Sequence, residues 1–180
     1  MRHHSTQTMA CPIARAVDQA GDAWSVLILR DAFYGLSRFD DFQASMGIAP
    51  NILSRRLALL VDTGMLERRR YSSRPPRHEY LLTERGRDFR PVLLAMMAWG
   101  NRHFSPDGHA VELIDRMTGH LVEPVMVDGR TGEPITRERH QMRAGPAADE
   151  RMRSRIAFRN SRLAQPRPSL CDPHLPESPP

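Results

Sequence analysis

No lysine occurs anywhere in this sequence; all 26 basic residues are arginine. Codon bias in a GC-rich genome is the plainest source of that pattern, yet it suits one kind of partner, because the planar guanidinium fork matches phosphates and guanine edges bidentately. Long apolar runs are missing too. None approaches the roughly 20 residues that a bilayer-spanning helix needs, and the opening Met1-Arg2-His3-His4-Ser5-Thr6 lacks the apolar middle of a signal peptide. A cytoplasmic protein with no membrane partner is therefore expected. Cysteine is scarce: Cys11 and Cys171, far apart, give neither a disulfide framework nor metal-like spacing, and they fit a reducing compartment. Also absent are a nucleophile set beside a base, a phosphate-cradling glycine loop and a metal-spaced cluster, so neither catalysis nor a metal or cofactor is expected.

What is present is positive charge, unevenly placed. The net charge is +5; residues 1–104 hold 15 basic and 10 acidic side chains, whereas residues 105–180 hold 11 of each. Residues 51–90 alone contain ten arginines against five acids. A patch so concentrated implies a polyanionic partner. A chain of 180 residues can bury one good core plus a small appendage. The expected organisation is a disordered leader over 1–9, a compact domain over 10–104, a small extension over 105–164 and a proline-rich disordered tail over 165–180.

Within the compact domain, Pro12 suits the first position of a helix that carries Ile13, Ala16 and Val17 and stops near Gly21. Asp22 can cap a second helix whose apolar set is Trp24, Leu27, Ile28 and Ala32. Ser37 with Asp40 three residues on resembles a capping box and opens a short helix through Phe42 to Met46, ended by Gly47. Pro50 starts another that reaches the glycine punctuation at Gly64. Two short helices joined by a tight glycine-containing link form a helix-turn-helix pattern. After Gly64, 65–71 and 78–82 read as two strands around an exposed turn containing Arg74-Pro75-Pro76-Arg77, a wing. Thr83 can cap a long helix to about Phe104, kinked at Pro91. In the extension, 121–127 and 134–136 suit short strands, and 148–160 suits a basic, mostly solvated helix.

On the helix from Pro50, advancing 100° per residue from Leu53 puts Leu57, Leu60 and Val61 within about 80° of it, which defines the buried side. Asn51, Arg55 and Ala58 point almost oppositely, with Ser54 on the flank. It is the N-terminal part of a recognition helix that usually meets base edges. Arg55 and Asn51 can form paired hydrogen bonds to guanine or adenine in the major groove, while Ser54 and Arg56 are expected at phosphates. At the wing tip, Arg74 and Arg77 flank the stiff Pro75-Pro76 and are expected at phosphates or in the adjacent minor groove. The partner this set implies is double-stranded DNA. Any amphipathic helix shows polar residues outward; the capped short helix before it and the arginine-bearing hairpin after it give this one its meaning.

Cys11-Pro12-Ile13, Gly21-Asp22-Ala23-Trp24, Leu27-Ile28-Leu29-Arg30, Arg38-Phe39, Leu53-Ser54-Arg55-Arg56-Leu57, Gly64-Met65-Leu66 and Pro75-Pro76-Arg77-His78-Glu79-Tyr80-Leu81-Leu82-Thr83 together resemble the HxlR-type regulators, relatives of the MarR group, over roughly residues 10–104. The resemblance implies a mainly α fold with a small β wing, a winged helix-turn-helix that dimerises through its N- and C-terminal helices. It implies a transcriptional regulator, more often a repressor, bound as a homodimer to a palindromic operator. The apolar surplus around Met96 and Trp99 agrees with a second partner for that helix.

For Cys11 the resemblance offers a redox- or electrophile-sensing role, with the helix N-terminus and Arg15 placing positive charge beside the sulfur; a small residue filling a dimer interface is the other reading. A longer subset of the family carries paired cysteines in Cys-Gly turns of the extension. Here the corresponding turns read Thr118-Gly119 and Thr131-Gly132, so no zinc site is expected, and His103, His109, His120 and His140 read as surface residues. Two alternatives stay open at this point: a regulator answering a small-molecule effector rather than an oxidant, and a basic module that binds RNA or an acidic protein.

Overall fold

The computed structural model describes residues 10–20 and 22–164. The expected leader over 1–9, the proline-rich tail over 165–180 and Cys171 lie outside the described residues. The chain divides into two compact units, one ending at Pro134 and one starting at Ile135. In the first unit the order is α1 (Pro12–Ala20), α2 (Ala23–Phe33), α3 (Phe39–Met46), α4 (Pro50–Asp62), β1 (Leu66–Ser73), β2 (Pro76–Leu82), α5 (Glu84–Arg87) and α6 (Arg90–Phe104). This is a mainly helical winged helix-turn-helix with a two-stranded antiparallel sheet. No helix among the described residues is long and apolar enough to cross a membrane.

One apolar cluster organises the unit. Ile28 and Leu29 of α2, Phe42 of α3, Ile48 of the link and Leu53, Leu57 and Leu60 of α4 meet Met65 and Leu66 at the root of the wing. The leucine spacing of α4 puts all three on one stripe, and each is fully buried. Of the apolar set expected on α2, Ile28 is fully buried while Trp24, Leu27 and Ala32 are only half-buried; Leu29, Ser25 and Asp31 fill the rest of the inner face.

Asp22 caps α2 as expected, its carboxylate accepting from the Trp24 N–H at 2.8 Å and the Ser25 N–H at 3.3 Å. Ser37 does not cap α3. The helix starts one residue later, from Arg38, without a side-chain cap, because Ser37 and Arg38 are taken up by the wing. The Ser37 carbonyl accepts from the Tyr80 N–H at 2.7 Å, and Arg38 bridges antiparallel to Glu79.

The helix expected from Thr83 to Phe104 is two helices, not one kinked helix. Thr83 caps the short α5, accepting from the Gly86 N–H at 3.1 Å while donating to the Gly64 carbonyl at 2.6 Å. A Cβ at Gly86 would stand 2.1 Å from the Met65 carbonyl oxygen, so only glycine allows α5 to rest on the start of the wing. The chain then breaks at Asp88 and Phe89, and Pro91 falls in the first turn of α6, where a missing N–H is no loss.

Past α6, the stretches expected as strands form isolated bridges instead, Ile114 to Leu121 and Val127 to Pro134. They close two alike turns: the Asp115 carboxylate accepts from the Met117 and Thr118 N–H groups, the Asp128 carboxylate from that of Arg130, and Gly119 and Gly132 take φ of +72° and +73°. In the second unit the basic helix is α7 (Glu150–Ala164), longer at its C-terminal end than its expected span.

Candidate nucleic-acid interface

Gly47 ends α3 in the left-handed region at φ +60°, a conformation glycine adopts without strain. Ile48 then plunges into the core, and Pro50 opens α4. Because Leu53, Leu57 and Leu60 fix the rotation of α4, Asn51, Ser54, Arg55 and Ala58 are all left exposed. They share the outward face. The cap residue Ala49 contributes no side-chain acceptor, and Asn51 Oδ1 takes the Ile52 N–H at 2.9 Å in its place. Among the described residues Arg55 has no ion-pair or hydrogen-bond partner of its own chain.

Arg56 lies elsewhere. Its Nη1 stands 2.5 Å from Asp22 Oδ2, with the two side chains 23% and 29% accessible, so it joins α4 to the cap of α2. The signal is present in the helical count: three residues after Leu53, Arg56 falls about 60° from it, at the edge of the apolar arc and away from the outward face. The expected place of Arg56 at a phosphate is therefore corrected: it adjoins Arg55 in sequence but not on the helix surface, and its charge is taken by Asp22.

On the wing, the five arginines divide into braces and free ends. Arg69 pairs with Glu79 across the strands at 2.9 Å, and Arg68 Nη2 sits 3.0 Å from His78 Nδ1. Arg70 donates to the Ser72 and Ser73 carbonyls at 3.0 and 2.9 Å, holding the end of the hairpin, where the register shifts at Tyr71. Ser73 pairs with Pro76, which leaves Arg74 and Pro75 at the tip. Arg74 and Arg77 are exposed and have no side-chain partner among the described residues.

Arg38, which the sequence offers only as part of the Arg38-Phe39 motif and not as a site residue, lays its guanidinium 4.7 Å from the centre of the Tyr71 ring and so ties the wing to the start of α3. Residues 38 and 71 are far apart in sequence, and no local pattern announces their contact. The His78 imidazole is held below its ordinary pKa of 6.5, first by desolvation and then by the charges of Arg68 and Arg70.

The arrangement is one helix with a polar, guanidinium-bearing outer face beside a hairpin whose tip carries two unpaired positive charges. Among the described residues no group of three metal-ligating side chains comes together. The half-exposed Cys11 stands at the start of α1, its carbonyl accepting from the Arg15 N–H at 3.1 Å.

Comparison with known proteins bears on this geometry. The model of the HxlR-like helix-turn-helix family matches residues 20–108. An uncharacterized HTH-type transcriptional regulator of Mycobacterium tuberculosis is 36% identical over 143 residues, 79% of this chain and 90% of its own. Among solved structures, that of PA1607, a candidate transcription factor, superposes with a TM-score of 0.70 at 40% identity and covers 78% of this chain and 99% of its own. PA1374 of Pseudomonas aeruginosa, also a candidate transcription factor, is 49% identical over 81% of this chain and 100% of its own, with a TM-score of 0.59.

Proposed function

Because the chain belongs to the HxlR-like helix-turn-helix family of transcriptional regulators, we propose that it binds a palindromic operator as a homodimer, with the outer face of α4 in the major groove and the wing tip on the flanking phosphates. The observation that carries this reading is the exposed Arg55, without a partner among the described residues, beside Asn51 and Ser54 on a helix whose opposite side is closed into the core. Arg55 reads a base edge, Asn51 a neighbouring one, Ser54 a phosphate; Arg74 and Arg77 hold backbone outside the half-site. Arg56 is left out of that set, since its charge is spent on Asp22. Seated on a promoter in the cytoplasm, such a dimer excludes polymerase and represses.

The dimer reading rests on α6. Its run of Val92, Leu93, Leu94, Ala95, Met96, Met97, Ala98 and Trp99 includes no fully buried residue, and Met96 and Trp99 are 50% and 60% exposed. Ile13 and Val17 on α1 are exposed as well. Apolar helix faces of this extent call for a second copy. Control of binding has two candidates: oxidation of the half-exposed Cys11, and a small apolar effector in the 660 Å³ groove between α2 and α6 lined by Leu27, Phe33, Leu93 and Met97. Operator affinity that ignores diamide and quinone removes the thiol and leaves the groove.

Selecting bound fragments from a random duplex library tests the whole reading. An inverted repeat with half-site centres about one helical turn, roughly 34–36 Å, apart is the expected product. Recovery of fragments without a shared sequence would overturn it.

A further inference from the structure

The second unit carries a charged surface that the operator contact does not use. Helix α7 holds five arginines, at 151, 153, 155, 159 and 162, against one acid, Glu150. At 100° per residue, Arg151, Arg155, Phe158 and Arg162 fall within an arc of about 60°, and Arg159 flanks them. Met152 and Ile156 lie further round and are half-buried, whereas the arginines at 151, 155 and 162 are exposed. Arg162 stacks over the exposed Phe158 ring at 5.4 Å. No carboxylate of the described residues pairs with Arg151, Arg155 or Arg162.

We infer that α7 is a second, sequence-independent DNA contact, whose arginine stripe grips phosphates of the duplex flanking the operator. The stripe from Arg151 to Arg162 rises about 16 Å along the helix axis, roughly five base pairs of duplex. A row of guanidinium groups carrying no side-chain acceptor suits phosphate oxygens and lacks the means to discriminate bases. An anionic membrane surface is a poorer match, because Met152 and Ile156 are already partly covered and the exposed face offers a single apolar group, Phe158. The charge arithmetic agrees. Residues 105–180 are neutral as a whole, yet five of their eleven arginines lie on this one helix against a single acid. The inference rests on the operator reading above, since the operator contact brings α7 to the same duplex at high effective concentration.

The test uses the full chain and two duplexes, the selected operator alone and the same operator lengthened by about 15 base pairs of random sequence on each side. The wild-type protein is expected to bind the longer duplex about tenfold more tightly, with a steeper dependence on salt. The triple variant Arg151→Ala, Arg155→Ala, Arg162→Ala should bind both duplexes as the wild type binds the short one, its salt slope on the long duplex lowered by about 0.9 for each lost phosphate contact. Replacing the same three by lysine should restore most of the difference. Equal binding of both duplexes by the wild type, or a flank preference that survives the alanine variant, would overturn the inference. So would association with phosphatidylserine vesicles that the alanine variant loses while flank preference is absent. If neither duplex shows sequence preference, it is the operator reading that has failed.

Discussion

Asp22 does two jobs with one carboxylate: it caps the amides that open α2 and pairs with Arg56 of α4. Replacing it by alanine removes the cap and leaves a half-buried guanidinium unpaired, a loss of about 2 kcal/mol. Chemical denaturation should therefore show Asp22→Ala and Arg56→Ala both less stable than wild type, while Arg55→Ala unfolds with it. An Arg56→Ala protein of full stability and impaired DNA binding would return Arg56 to the phosphates. His78 supplies a pH signature. Its pKa is lower in the folded chain than the 6.5 of an unfolded one, so its contribution to stability is complete above 6.5 and is lost as pH falls through the lower, folded value. The imidazole should titrate below 6.5 by NMR and move upward in Arg68→Ala; a midpoint unchanged by that substitution would leave desolvation and Arg70 to set it.

At the scale of elements, the proposed contact gives the wing's role to its tip, not to its total charge. Arg68, Arg69 and Arg70 are occupied within the hairpin, and Arg74 and Arg77 have no side-chain partner among the described residues. Alanine at both free positions should weaken binding to every duplex alike and lower the salt slope by about 2, measured by anisotropy between low and physiological salt. A selective loss at particular base pairs would instead place them in a groove. The same elements show what the sequence could convey. The helix-turn-helix was legible because the spacing of Leu53, Leu57 and Leu60, with Pro50 and Gly47 as punctuation, is local, and the hairpin because its turn residues are local. The pairing of Ser37 and Arg38 with β2 and the stacking of Arg38 on Tyr71 are contacts between distant segments, and they displaced the expected cap on Ser37. The break between α5 and α6 has a related cause: in sequence Pro91 suggests a kink inside one helix, whereas the close seat of Gly86 on Met65 ends the first helix before it.

For the whole molecule, the proposed homodimer uses the unburied apolar face of α6 as its seam, and operator affinity then depends on both half-sites binding together. Met96→Glu should turn dimer into monomer in sedimentation experiments with helical content retained, and should weaken operator binding on the order of a hundredfold; a variant that stays dimeric would move the interface away from α6. The central claim is that the outer face of α4 reads bases. Its most direct test is the affinity of wild-type and Arg55→Ala protein across an operator series with each base pair changed in turn. The variant should lose about 1–3 kcal/mol on the operator and become indifferent to one symmetry-related base pair while still discriminating at the others. Equal weakening across the entire series, random duplex included, would contradict the account.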